Sequence, residues 1–239
     1  MNILLLAILF ISPFSGGLIA LFSSQYDVKK LKLFLSFAGG YLFSITLLSL
    51  MPQVYSNFDK ISGVLILSGF FFQIFLEQYS KGIEHGHLHL HHIKKNIFPL
   101  GIILSMCLHT FMEGVPLGAM MTDTSNTKYS LLAGIALHEF PAAFALATIL
   151  KSLNLNKNIL YVLIVFYAIS SPLGAAMSGY LNHNLTQDLF NYFMAFVVGT
   201  FLHISTTILF ENSEQHHFSK IKLYAVLSGV LLALLAVFV

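Results

Sequence analysis

The chain has 239 residues, 56% of them hydrophobic and 9% charged, with a formal net charge of +2 and a mean hydropathy of +0.80. A soluble domain is about one-quarter charged, so this composition excludes one and predicts an integral membrane protein. The small net charge gives no reason to invoke nucleic acid, and Cys107, the single cysteine, excludes an internal disulfide.

A membrane span needs about 20 apolar residues. Charges, glycines and prolines divide the chain into eight such segments, near 3–23, 33–52, 61–79, 97–121, 129–150, 159–181, 186–210 and 222–238. The first has no lysine before it and is too long and too uncharged at its start for a cleavable signal peptide, so it is expected to be a mature helix. All twelve basic residues are lysines. Lys29, Lys30 and Lys32 follow span one, Lys81, Lys94 and Lys95 span three, Lys151 and Lys157 span five, and Lys220 and Lys222 span seven; only Lys60 and Lys128 fall in the alternate loops. By the positive-inside rule this bias predicts an all-α integral membrane protein, eight helices in a compact bundle with both termini extracytoplasmic. Residues 1–239 form a single domain in this reading, with no soluble appendage.

The longest polar connection, about 80–96, is on the cytoplasmic side and contains EHGHLHLHHIKK. His85, His87, His89, His91 and His92 could bind metal loosely through neutral imidazoles; buffering or sensing suits a flexible tract better than permeation, and a plain polar loop is the alternative. Span four carries His109 and Glu113 in SMCLHTFMEGVPLGA. Separated by four residues, a rotation of about 400° and a rise of about 6 Å, they share one helical face and can grip one ion. Imidazole with carboxylate suits zinc and other first-row divalent cations. Cys107 is turned about 200° from His109, which points to packing.

Span five carries His138 and Glu139 in LLAGIALHEFPAAFA. Adjacent residues project about 100° apart, so the pair can share an ion only where the helix is distorted, as Pro141 permits. An ionised side chain at the bilayer centre costs about 2.5–3.5 kcal/mol on insertion scales, so two intramembrane His/Glu pairs on consecutive helices point to function. Pro116, Pro141 and Pro172 each free a carbonyl one turn earlier; a kink is the ordinary consequence and cation coordination the alternative. On span seven, His203 and, near its end, Glu211 could line an exit route, although a packed histidine and a solvated glutamate fit equally well.

These motifs resemble those of the ZIP (Zrt/Irt-like) family of divalent metal transporters, in a divergent form of bacterial type, and the resemblance covers nearly the whole chain. LHTFMEG is similar to the family's span-four motif His-Asn-x-Pro-Glu-Gly, and LHEFPAA to its span-five motif His-x-x-Pro-x-Glu. The resemblance implies that His109, Glu113, His138 and Glu139 hold metal, and it implies a homodimer in which spans one, four, five and six slide against spans two, three, seven and eight. Five departures stand out: Thr110 for the asparagine, Ala143 for the second span-five glutamate, Ser171 on span six for a glutamate of many bacterial relatives, and Ser49 and Gln53 in span two where relatives often show histidine and glutamate. A bridging second metal site is therefore stripped, leaving ligands for one ion, with Ser171 on the route.

The expected function is transport of a divalent transition metal, zinc first and iron, manganese, cobalt or cadmium as alternatives, through a mainly single-metal site between helices 4 and 5 toward the cytoplasm of a cell whose membrane it crosses repeatedly. The partners are then the ion and the lipid bilayer, with Zn2+ as cargo and no catalytic cofactor. A metal-sensing relative that does not transport is a second reading. An intramembrane metalloenzyme is a third, disfavoured because Ala142 stands where H-E-x-x-H requires its second histidine.

Overall fold

Eight helices long and apolar enough to cross a bilayer make up the computed structural model, which describes residues 3–23, 27–55, 59–85, 99–120, 127–210 and 220–238. They are α1 (Ile3–Phe22), α2 (Val28–Tyr55), α3 (Lys60–Ser80), α4 (Leu100–Ala119), α5 (Thr127–Ser152), α6 (Lys157–Asn184), α7 (Gln187–Phe210) and α8 (Lys220–Phe238). Each falls on one expected span, so the chain is an all-α, eight-helix membrane protein.

Several helices outrun their apolar stretches because polar caps extend them. α2 starts five residues early, where the Asp27 carboxylate accepts from the backbone N–H groups of Lys29 and Lys30 at 2.9 and 3.3 Å. It also contains a π-helical turn at Thr46–Leu50. Asp59 caps α3 by accepting from Ser62 N–H at 2.8 Å, and the Tyr192 hydroxyl on α7 donates to its other oxygen at 2.8 Å. The Ser62 N–H, then the tyrosine, hold this carboxyl below its ordinary value. Its stabilisation is therefore complete above the ordinary carboxylate range and lost as pH falls through the lowered value. After α3, Lys81 takes a left-handed conformation (φ 58°) and the chain turns into a short 3-10 helix, Ile83–His85. The rest of the expected histidine-rich loop, with His87, His89, His91 and His92, lies outside the described residues, as does Glu211. The helices run on through Pro116, Pro141 and Pro172.

Packing joins the helices in four close pairs, which α1 with α6 and α2 with α7 link into two groups of four, and α2 packs on α5 between the groups about as extensively as on α7. α4 packs most extensively on α6 and α1 on α5, with α1 also against α6; α3 packs on α7 and α2 on α8. Glycines set these contacts. A Cβ on Gly114 would strike the Ser171 carbonyl, one on Gly118 the Ala175 carbonyl, and one on Gly174 the Phe111 carbonyl, so α4 and α6 meet backbone to backbone. Gly16 on α1 meets Phe140 of α5 in the same way. In the second group Gly69 and Gly199 join α3 to α7, and Gly40 and Gly229 join α2 to α8. Between the groups the approach is looser: Gly134 of α5 faces the Tyr41 ring of α2, where a Cβ would lie 3.1 Å from ring carbons. α5 is the most enclosed helix, 72% of its apolar window buried, against 17% for α8 at the periphery.

Replacing Gly174 by leucine should push α4 from α6 and cost about 1–3 kcal/mol or more. Gly101→Ala, whose Cβ would meet only the Tyr79 ring at 3.6 Å, should leave thermal unfolding within about 2 °C of wild type. Thermal melts of both purified variants check the contrast.

Candidate metal centre

α4 places His109 and Glu113 one turn apart on the face turned toward α5, and α5 brings His138 to the same point. His109, Glu113 and His138 are 1%, 0% and 0% exposed. The Nε2 atoms of His138 and His109 are 3.4 Å apart, His138 Nε2 lies 3.4 Å from Glu113 Oε1, and His109 Nε2 lies 3.8 Å from the same oxygen. Zinc–ligand bonds of about 2.0–2.2 Å put neighbouring tetrahedral ligands about 3.3–3.6 Å apart. The triangle is thus close to one face of a zinc coordination tetrahedron, with its fourth corner left for water or a passing ligand. Neither Glu113 oxygen has a hydrogen-bond partner, and His138 Nδ1 has none. A buried carboxylate without a donor is costly unless a cation completes it.

Glu139 is fully buried beside His138, but its carboxylate is not part of this group of three. It projects along a different direction from α5, toward the neighbourhood of Ser171 on α6. Ser171 and Ala143 are both buried, and Glu139, Ala143 and Ser171 together offer a single carboxylate.

A second cluster joins three elements. His203 Nε2 on α7 lies 2.7 Å from Glu77 Oε2 near the end of α3, and His85 Nε2 from the following 3-10 turn lies 3.7 Å from Glu77 Oε1. The ligand atoms of Glu77, His85 and His203 fall within 4.8 Å of one another, which suits a divalent cation. The sequence had singled out His203 and His85 but assigned them to different features. It missed Glu77, although FFFQIFLEQYS holds Gln73 and Glu77 four residues apart in an apolar run, the same spacing as His109 and Glu113.

Eight apolar helices that enclose a buried His/His/Glu triangle define a multi-pass membrane protein with a candidate metal site at its core. The family profile described as "ZIP Zinc transporter" matches residues 89–236, and the chain belongs to the ZIP family. Among its relatives, Zinc transporter ZIP9-B of Xenopus laevis is 27% identical over 161 residues, 64% of this chain and 52% of that protein. Zinc transporter ZIP1 of Plasmodium falciparum is 28% identical over 135 residues, 56% of this chain and 37% of that protein. The chain thus spans about half the length, or less, of these curated relatives.

Glu113→Ala removes the oxygen shared by both imidazoles. It should weaken zinc binding to the purified protein by at least about 100-fold, since changes one layer beyond the ligands alone cost about 10–100-fold. Equilibrium titration against a variant lacking the 87–92 histidines, which removes background binding by that tract, gives the comparison.

Proposed function

We propose that the chain carries a divalent transition metal, zinc foremost, across a cell membrane toward the cytoplasm, and that His109, Glu113 and His138 hold the ion on the way. The observation that carries this reading is the ligand triangle with edges of 3.4, 3.4 and 3.8 Å, buried between α4 and α5. Three ligands compensate much of the hydration an ion leaves behind, while the open corner lets it exchange. Glu139 is a further carboxyl nearby. One ion is held at a time, because Ala143 and Ser171 supply no anionic ligand for a second beside it.

Glu77, His203 and His85 form the next station. Glu77 lies four residues beyond Gln73 on α3, which itself touches His109, so the two clusters follow one another along the helix toward the end that the lysine pattern places in the cytoplasm. The histidine-rich tract continues from His85 and would receive the ion at the exit. The glycine-locked pairs, α1 with α5 and α4 with α6 on one side and α2 with α8 and α3 with α7 on the other, suit a relative sliding of α1, α4, α5 and α6 against the other four, in a homodimer.

Uptake into proteoliposomes tests the reading, with zinc, iron, manganese, cobalt and cadmium offered in turn. Zinc should accumulate, His109→Ala or Glu113→Ala should reduce uptake to the level of empty vesicles, and replacing the 87–92 histidines should leave substantial transport. A protein that binds zinc but does not move it would favour the metal-sensing alternative. Ala143→Glu should raise the number of tightly held zinc ions from one to two or tighten the first.

Orientation is tested separately. In a Cys107→Ser background, cysteine at the exposed Lys60 should react with an impermeant thiol reagent on intact cells, and cysteine at the exposed Lys157 should not. The reverse pattern would invert the direction of transport.

A further inference from the structure

His109 meets the other two ligands through Nε2, and its opposite nitrogen is held by a side chain from the neighbouring helix group. Gln73 on α3 is fully buried. Its amide nitrogen lies 2.7 Å from His109 Nδ1, and its amide oxygen has no hydrogen-bond partner. A primary amide can donate through nitrogen or accept through oxygen, and the two ends exchange places by a half-turn that leaves the shape unchanged. An aliphatic side chain would fill the same space without leaving a buried oxygen unpaired, so packing does not explain a glutamine here.

We propose that Gln73 is a positioning residue for His109, an amide that supports both the empty and the metal-holding site by turning over. In the arrangement seen, the amide N–H donates to Nδ1, so the neutral ring carries its proton on Nε2, which points at His138 Nε2 3.4 Å away. To hold a cation through Nε2, the ring must free that lone pair and carry its proton on Nδ1. One proton leaves Nε2 and one arrives at Nδ1, exchanged with the water that accompanies a hydrated cation, and the ring stays neutral. Gln73 then presents its oxygen, which accepts Nδ1–H and fixes the ring plane toward Glu113. A carboxylate at this position could only accept; it would hold the metal-ready tautomer permanently and make the ring a stronger ligand. Glutamine is the side chain of this shape that favours capture without opposing release.

The inference rests on His109 being a ligand, and the test separates the two. Zinc uptake by proteoliposomes of wild type, Gln73→Glu, Gln73→Leu and His109→Ala is resolved into KM and turnover, after each variant is checked for monodisperse behaviour and thermal unfolding. Gln73→Leu should raise KM about 10–100-fold, the usual effect of losing the partner behind a ligating histidine, with a smaller change in turnover. Gln73→Glu should lower KM and turnover together, each by about tenfold, as tight binding slows release. A residue that only packs would not move KM in opposite senses in the two variants. If leucine prevents folding, the shape-conserving glutamate decides: a KM unchanged or raised overturns the proposal, as does a leucine variant within about twofold of wild type. Wild-type uptake by His109→Ala would instead overturn the ligand reading itself. Loss of uptake in His109→Ala with unaltered Gln73 variants would overturn the Gln73 proposal alone.

Discussion

The Glu113 carboxylate, closed between two imidazoles where the surroundings are hydrocarbon rather than water, sets the terms for the rest of the structure. Such a group is tolerated only where the bundle brings partners to it, because no water in the membrane core can take their place. Those partners come from different places: His109 is one turn away on the same helix, and His138 is on the next. Gly114, next to Glu113, and Gly118, one turn further on, press α4 against the α6 backbone and so settle which way α4 is rotated. The small residues thus do more than pack. They aim the carboxylate.

The same device repeated elsewhere divides the molecule. Close backbone contacts through glycine join α1 to α5, α4 to α6, α2 to α8 and α3 to α7, while Gly17, Gly39 and Gly134 meet the side chains of Ile164, Ile208 and Tyr41. Side chains supply the polar links between the groups. Tyr41 donates to the Ser130 carbonyl at 3.0 Å, Ser130 donates to the Ala236 carbonyl at 2.8 Å, and Gln73 reaches His109 at 2.7 Å. Contacts of this kind can be exchanged one at a time, whereas interlocked backbones separate only at the cost of many dispersion contacts together. His109, Glu113 and His138 belong to α4 and α5 and the amide behind His109 to α3, so the triangle lies where the two groups of helices meet.

The two ligand clusters differ in their surroundings. The inner triangle is sealed, with His109, Glu113 and His138 at most 1% exposed, whereas Glu77 in the outer cluster is 21% exposed. On the proposed route, a dehydrated ion would need the stronger compensation of the first. Near the end of α3, water can supply part of the coordination, and weaker, more mobile ligands suffice.

Much of this was legible in the chain by itself, for reasons of range. The eight spans followed from runs of about 20 apolar residues bounded by charge, a local property that the bilayer thickness dictates. His109 and Glu113 could be placed together because four residues on one helix share a face whatever the helix packs against. Beyond one helix the sequence loses this certainty. That His138 rather than Glu139 completes the triangle depends on the rotation of α5 against α4. That Gln73 stands behind His109 depends on how α3 meets α4 across the divide. That Glu77, His85 and His203 converge depends on the left-handed turn at Lys81 and the docking of α7 on α3. Apart from that of Glu77 to His85, which the Lys81 turn sets, these distances join residues far apart in the chain, and the packing of whole helices, rather than any local pattern, determines them.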